Sequence, residues 1–207
     1  MKSGGHERYN MDINEFKNLI KENQFRSPSK GLMSFKEVIG ELIEYRDEKP
    51  EFEYRIVIGT DSEARESGVD FVSVVAIHRI GKGGRYFWLR IYDKESLEFR
   101  NRIYKEAVLS LALAYALLEQ QLENNHMSIT AGQSIKEAIE NLGKNLAGKS
   151  AKKIVLTDEL EIHVDIGTKG PTKAMIKEIV GMIRGSGFDV KIKPEAFAAA
   201  NVADRHV

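Results

Sequence analysis

The sequence predicts an α/β fold in which helices cover a mixed β-sheet. Three segments rich in β-branched and aromatic residues, at 54–60, 70–80 and 85–92, are joined by polar links and indicate an antiparallel three-strand meander. Beyond a long apolar helical segment, strand and helix patterns alternate, which is typical of parallel strands connected by helices. With two more strands in that half, we predict a five-stranded sheet: the meander plus two parallel strands.

The first fifty residues have the patterns of helices. Residues 11–23 carry apolar side chains at helical spacing, and residues 27–31 form a turn. Ser34 and Glu37 form the capping box of a second helix, which Pro50 ends. Two helices bury too little surface to be a separate domain. We therefore divide the chain into a tail, a helical extension and an α/β domain, at residues 1–10, 11–52 and 53–207.

The segment after the meander alternates between helices and strands. The predicted elements are a helix at about 97–123, a helix at about 133–146, a strand at 154–156 or 161–166, a helix at 172–184, a strand at 188–192 and a short helix from Glu195. Asp204, Arg205 and His206 lie just before the last residue of this segment, Val207.

The composition of the 207 residues excludes several classes of function. The absence of cysteine excludes disulfide scaffolds, zinc fingers, iron–sulfur clusters and thiol catalysis, so a metal site would need carboxylates or histidines. With 31 basic and 31 acidic residues, the chain cannot bind nucleic acid by bulk charge alone. The longest nearly unbroken apolar run, 107–118, is far shorter than the roughly 20 residues of a membrane span. Without a secretory signal, a cytoplasmic location is expected.

Two acidic residues stand out because they are associated with predicted strands. Asp61 ends an apolar strand at the rim of the sheet, where ligands usually bind, although Asp-Ser is also common turn chemistry. Asp165 lies in a β-branched strand, where an ion needs a charged partner or a metal. An aspartate that accepts bonds from the following glycine loop is the structural alternative.

Two further acidic residues are candidates by their surroundings. Glu106 lies on a helix that is apolar nearly all round, so it must reach solvent, pair with Arg102 four residues earlier, or face a polar site. Asp204 lies near the end of the sequence, where a surface residue is the default expectation. Asp204 is a candidate site residue only because of its association with the other three acids.

A local basic region could contact nucleic acid despite the neutral total. Residues 79–105 contain eight cationic and three acidic residues, a net charge of plus five, and among them lie Tyr86, Phe87, Trp88, Tyr92 and Phe99. This combination suits a nucleic-acid backbone and its bases. It fits equally well a strand with core aromatics on one face and solvated charges on the other.

Several stretches resemble the YkuK family of ribonuclease H-like proteins. The matching blocks are residues 25–35, 54–62, 81–88, 102–106, 163–167, 192–194 and 204–206. The resemblance runs from about residue 25 to the end and is weakest at 120–153. The ribonuclease H fold carries one carboxylate each on its first strand, first helix, fourth strand and last helix. The residues at these places here are Asp61, Glu106, Asp165 and Asp204.

The resemblance implies a metal-dependent nuclease for RNA, DNA or their hybrid. Two Mg²⁺ or Mn²⁺ ions would be held by the four carboxylates, with Asp61 bridging both, Asp165 and Glu106 completing the shells and Asp204 holding the second ion. Lys193, Arg205 or His206 would contact phosphate or assist proton transfer. Ser62 and Arg85 are further candidates for substrate contact.

Two other functions fit the same residues. A ribonuclease H-like scaffold could bind nucleic acid or protein without catalysis. The actin-like ATPases and sugar kinases share the fold, and residues 58–61 and 165–168 resemble their phosphate loops. Those enzymes place nucleotide between two such domains, whereas 207 residues supply one, so this function ranks below a nuclease. The helical extension could also serve as a homodimer surface.

Overall fold

A computed structural model describes residues 12–95, 97–128, 133–134, 137–138, 141, 160–197 and 202–207. The helices are α1 (Ile13–Glu22), α2 (Phe35–Asp47), α3 (Phe99–Asn124) and α4 (Ile176–Gly185). The strands are β1 (Phe25–Ser27), β2 (Gly31–Met33), β3 (Tyr54–Arg65), β4 (Gly68–Arg79), β5 (Gly83–Asp93), β6 (Leu160–Val164) and β7 (Asp189–Ile192). Short 3₁₀ turns form at Pro171–Met175 and Asp204–His206.

The strands form one mixed sheet in the order β2-β1-β5-β4-β3-β6-β7. The antiparallel meander β3-β4-β5 is confirmed, and β6 and β7 extend it as parallel strands beside β3. The sheet has seven strands rather than five, because the predicted turn at 27–31 joins the hairpin β1-β2, which pairs with β5 through Arg26 and Trp88. Strands of three residues are too short to show an alternating pattern in sequence.

The strand that carries Asp61 is longer than predicted. β3 runs on to Arg65 and β4 begins at Gly68, so Asp61 lies within a strand, opposite Val72, and not at its end. The prediction was wrong because backbone hydrogen bonds continue the antiparallel ladder whatever the polarity of the side chains. The polar residues after Asp61 therefore belong to an extended ribbon, and its outer part is exposed.

The helices agree with their sequence patterns where they are described. The capping box of Ser34 and Glu37 is present at the start of α2, and α3 lies within two residues of its predicted bounds. β6 corresponds to the second of the two predicted strand positions and ends one residue before Asp165. The predicted helix at 133–146, the strand at 154–156 and most of the helix from Glu195 lie outside the described residues. None of the described helices combines the length and apolarity needed to cross a membrane.

The two faces of the sheet are covered differently. On one face α3 packs on β3 and β4, and the large apolar core includes Ile58, Phe71 and Leu113. The other face carries a smaller cluster in which Val72 and Val74 pack against Ala203 from the last described residues. Residues 202–207 therefore cover part of the face opposite the main core.

Candidate active site

The register of β3 and β6 brings Asp61 and Asp165 together. β3 and β6 are parallel, with Gly59 paired to His163. Continuing this register by two residues places Asp61 alongside Asp165, on chains that are about 4.8 Å apart in a sheet. Both side chains are half-buried. The site therefore begins where β6 leaves the sheet while β3 continues.

Asp204 lies near Asp61 on the β4 side of β3, whereas Asp165 lies on the β6 side. Val72 faces Asp61 across the β3-β4 ladder, and it packs against Ala203, the neighbour of Asp204. Burial raises the pKa of Asp61 to about 6, and the negative charges of Asp165 and Asp204 add to that rise. The backbone N–H of Ser62, 2.9 Å from Asp61 Oδ1, acts in the opposite direction.

Glu106 joins the same group from the main-core side. Its side chain is almost fully buried on α3, with 2% of the residue exposed, and it accepts a hydrogen bond from Ser62 Oγ at 2.5 Å. One turn later, Ser110 Oγ donates to Thr60 Oγ1 at 3.0 Å, so two contacts set the position of α3 on β3. Burial raises the pKa of Glu106 to about 8; Asp61 and Asp165 add to the rise, whereas Ser62 and Arg102 oppose it.

Ser62 and Arg102 have roles that the sequence did not reveal. Ser62 was a candidate for substrate contact, but its hydroxyl holds Glu106. Arg102 was the alternative partner of Glu106, yet its guanidinium lies over the Phe99 ring at 5.7 Å and acts on Asp61 and Glu106 through space, lowering the pKa of both. A local pattern cannot show either contact, since both depend on how α3 meets β3.

The candidate substrate-binding residues are divided between two places. Lys193 Nζ lies 2.6 Å from Asp165 Oδ1, and 52% of its side chain is exposed. Arg205 and His206 follow Asp204 on the segment that covers the second face. These three and Ser62 are thus beside the carboxylates or on the segment that carries one of them.

The structure does not bring Arg85 to this site, contrary to the sequence-based expectation. Arg85 forms ion pairs with Glu41 and Glu48, at 3.0 and 2.8 Å. Through the β3-β4-β5 ladder Asp61 is aligned with Arg90, five residues beyond Arg85. At about 3.4 Å per residue, this separation is about 17 Å.

The basic region at 79–105 is largely neutralised within the protein. Arg79, Arg85, Arg90, Arg100 and Lys105 each form an ion pair, with Glu48, Glu41, Asp70, Glu178 and Asp93 respectively. Phe87, one of the interleaved aromatic residues, is buried in the main core. The structural interpretation therefore accounts for most of this region.

The four acids form a donor set of carboxylate oxygens, which suits hard divalent cations such as Mg²⁺ and Mn²⁺. Within the described part of the chain, no three acidic or histidine side chains are arranged to hold a metal ion as they stand. The side chains have other partners instead: Glu106 is bonded to Ser62 and Asp165 to Lys193. An ion bound at Asp165 Oδ1 would have to displace the Lys193 ammonium, whereas Ser62 contacts one of the two carboxylate oxygens of Glu106.

Comparison with known proteins agrees with this fold. The family model described as Ribonuclease H-like matches residues 37–207. "Uncharacterized protein YkuK" of Bacillus subtilis (strain 168) is 31% identical over 183 residues, which cover 87% of this chain and 95% of that protein. No solved structure is a significant match. The chain therefore belongs to the YkuK family of ribonuclease H-like proteins.

Proposed function

We propose that the protein is a metal-dependent nuclease that cleaves phosphodiester bonds by a two-metal mechanism. The observation that carries this proposal is the meeting of four acids from separate stretches of chain, with Asp61 between Asp165 and Asp204 and next to the residue that holds Glu106. Burial and neighbouring negative charges, which raise the pKa of Asp61 and Glu106, weaken the fold unless a ligand neutralises the carboxylates. Such a group is typical of a functional site.

The acids would bind the metal, and their neighbours would set their positions. Asp61, Glu106, Asp165 and Asp204 are the residues that would hold Mg²⁺ or Mn²⁺. When bound, such ions activate water and stabilise the leaving oxygen of a phosphodiester. The hydroxyl of Ser62 orients Glu106, because it donates to one carboxylate oxygen and leaves the other free for a second partner.

The basic residues near the acids would contact the phosphate of a nucleic acid or assist proton transfer. Lys193 is half-exposed on a flexible side chain, so it can leave Asp165 for a phosphate oxygen. Arg205 and His206 are carried by the same turn as Asp204. Arg102 adds a positive charge that acts on both Asp61 and Glu106. RNA, DNA and hybrid duplexes all present the phosphodiester that this arrangement would receive.

Cleavage assays test this proposal. The protein is incubated with labelled single-stranded RNA, RNA–DNA hybrid and DNA, in Mg²⁺, Mn²⁺ or chelator, beside the Asp61→Asn and Asp165→Asn variants. We expect metal-dependent cleavage that falls by about 1000-fold in each variant, because the ions supply several kcal/mol of transition-state stabilisation. Glu63→Gln is the matched control: it lies on the same strand, and its side chain is exposed and paired with Arg65.

The same assay separates the competing functions. Cleavage that survives in both aspartate variants comes from a contaminant and rejects the nuclease. Binding without turnover under every condition supports a non-catalytic scaffold. One observation favours this function: among the described residues, no three acidic or histidine side chains are arranged to hold a metal ion. Metal-dependent ATP hydrolysis without cleavage of nucleic acid supports the kinase-like alternative.

A further inference from the structure

Residues 202–207, here called the docked segment, cover one face of β4 and β5. Ala203 is fully buried and packs against Val72 and Val74, while Val202 and Val207 are partly buried around them. Tyr86 and Trp88, two alternate residues of β5, belong to the same cluster. Apolar packing therefore holds both ends of the docked segment on the sheet.

An aromatic stack anchors the second half of the docked segment. The His206 ring lies 3.9 Å from the Trp88 ring, centroid to centroid, and the two planes differ by 11°. Tyr86 lies 5.8 Å from His206, and Arg90 donates a hydrogen bond to the backbone oxygen of His206. Three outward-facing residues of one strand thus hold a single residue of the segment.

Asp204 lies between these two anchors. It follows the buried Ala203, precedes the stacked His206 by two residues, and is itself exposed. The local structure at Asp204 is a three-residue 3₁₀ turn, which is too short to be stable without tertiary contacts. The position of this carboxylate is therefore set by packing on β5 and not by a regular element of its own.

We propose that Trp88 is a positioning residue: by stacking on His206 it holds Asp204 beside Asp61 and so sets the affinity of the site for divalent metal. The inference rests on the proposed function for its metal-binding part. Residues that orient a metal ligand commonly change affinity by about 10–100-fold when they are mutated. Trp88 has this effect without touching the metal, since its contact is with His206.

Calorimetric titration of Mn²⁺ tests the positioning role. Trp88→Ala should weaken Mn²⁺ binding by about 10–100-fold, whereas Trp88→Phe retains an aromatic face for His206 and should stay close to the wild type. Tyr92→Leu is the matched control, because Tyr92 is an exposed residue on the same strand and bonds to Ser67. In the Trp88→Ala/Asp204→Asn double variant the two losses should not add, since both remove the same ligand. Additive losses would overturn the positioning role.

A second measurement is independent of metal. Amide hydrogen exchange of residues 202–207 in metal-free protein should be faster in Trp88→Ala than in Tyr92→Leu and in the wild type. Because the chain contains one tryptophan, the emission of Trp88 should also shift to longer wavelength in His206→Ala. Unchanged exchange in Trp88→Ala would overturn the docking role. If the wild type binds no Mn²⁺, the proposed function and the effect of Trp88 on metal affinity are both refuted. Hydrogen exchange would still show whether Trp88 holds the docked segment on the sheet.

Discussion

Buried charged groups lie near both ends of β3, but those at one end have compensating partners and those at the other end repel one another. At its beginning, Arg79 from β4 is buried, donating to Tyr54 Oη at 2.8 Å and to the backbone oxygen of Tyr45 at 2.9 Å. It also pairs with Glu48 at 3.4 Å and lies over the Tyr45 ring at 4.2 Å. Tyr54 Oη donates in turn to the backbone oxygen of Lys49. The charge at this end is paired and hydrogen-bonded.

Towards the other end of β3, negative charges face one another. Burial and neighbouring acids raise the pKa of Asp61 and Glu106, and Ser62 supplies one hydrogen bond to each. Burial alone therefore does not distinguish a structural polar group from a functional one. Arg79 has the partners that compensate its burial, whereas the pKa values of Asp61 and Glu106 stay raised despite the opposing charge of Arg102, a state that a bound cation would relieve.

The largest effect is expected from a substitution that removes the ionisable carboxyl group of Glu106. The unfolded chain releases this proton near pH 4.5, whereas the folded protein keeps it to about pH 8, so the stability of the wild type falls between these values. Glu106→Gln has no such loss and should be more stable by about 3 kcal/mol at pH 7. Its melting temperature should be higher by about 6–12 °C.

Melting curves from pH 4 to 9 without metal measure this difference. The advantage of Glu106→Gln should vanish below about pH 4.5 and reach its full size above about pH 8. Glu119→Gln on the same helix is a control, because this carboxylate pairs with Lys17 and Lys21, which lower its pKa against the opposing effect of burial. Equal melting temperatures for Glu106→Gln and the wild type at pH 8 would show that the charge of Glu106 does not destabilise the fold. The two ends of β3 would then not differ in this respect.

Metal should stabilise the acidic end of β3 and leave its other end unchanged. At a hundred times its dissociation constant, Mg²⁺ or Mn²⁺ should add about 2.7 kcal/mol to the stability of the wild type. Asp61→Asn and Asp165→Asn should show little of this gain. Because the metal must displace the proton of Glu106, its dissociation constant should fall as the pH rises, so at a fixed metal concentration the gain should rise with pH up to about pH 8. Thermal shift with metal or chelator measures it, and a gain retained in both variants would place the ion elsewhere.

Removing one hydroxyl tests the paired end. Tyr54→Phe deletes the acceptor of Arg79 and the donor to Lys49, so it should cost about 1–3 kcal/mol. Urea unfolding measures the loss, which should be the same at pH 6 and pH 8. Tyr92→Phe removes an exposed hydroxyl bonded to Ser67 and should cost less. Equal losses in the two variants would mean that the buried network adds nothing.

The smallest expected effect concerns Lys193. Its pair with Asp165 is half-exposed, so Lys193→Gln should change stability by less than about 1 kcal/mol. It should tighten Mn²⁺ binding by at most about five-fold, because Asp165 loses a competing partner, and it should weaken the binding of an uncleaved oligonucleotide. Lys191→Gln, at a pair with Glu195, is the control. Weaker Mn²⁺ binding in Lys193→Gln would show that the lysine supports the site instead of competing for it.

Much of the fold could be predicted because its signals are local. The capping box of α2, the apolar length of α3 and the meander from β3 to β5 all follow from spacing within one segment. The hairpin β1-β2 was missed because three-residue strands carry no period. Arg85 was a candidate for substrate contact as one of the cations of the basic region, whereas its distance from Asp61 depends on the register of β5.

The fold class, the order of the main elements and the four candidate acids could be predicted without a structure, since each depends on periodicity or on residue type. The tertiary structure decided which atoms meet. Ser62 orients Glu106 through a hydrogen bond, Lys193 forms an ion pair with Asp165, and Trp88 stacks on His206 in the segment that carries Asp204. These contacts join residues 28 to 118 positions apart, and no local pattern specifies them. They follow from strand register and from the packing of α3 and the docked segment on opposite faces of one sheet.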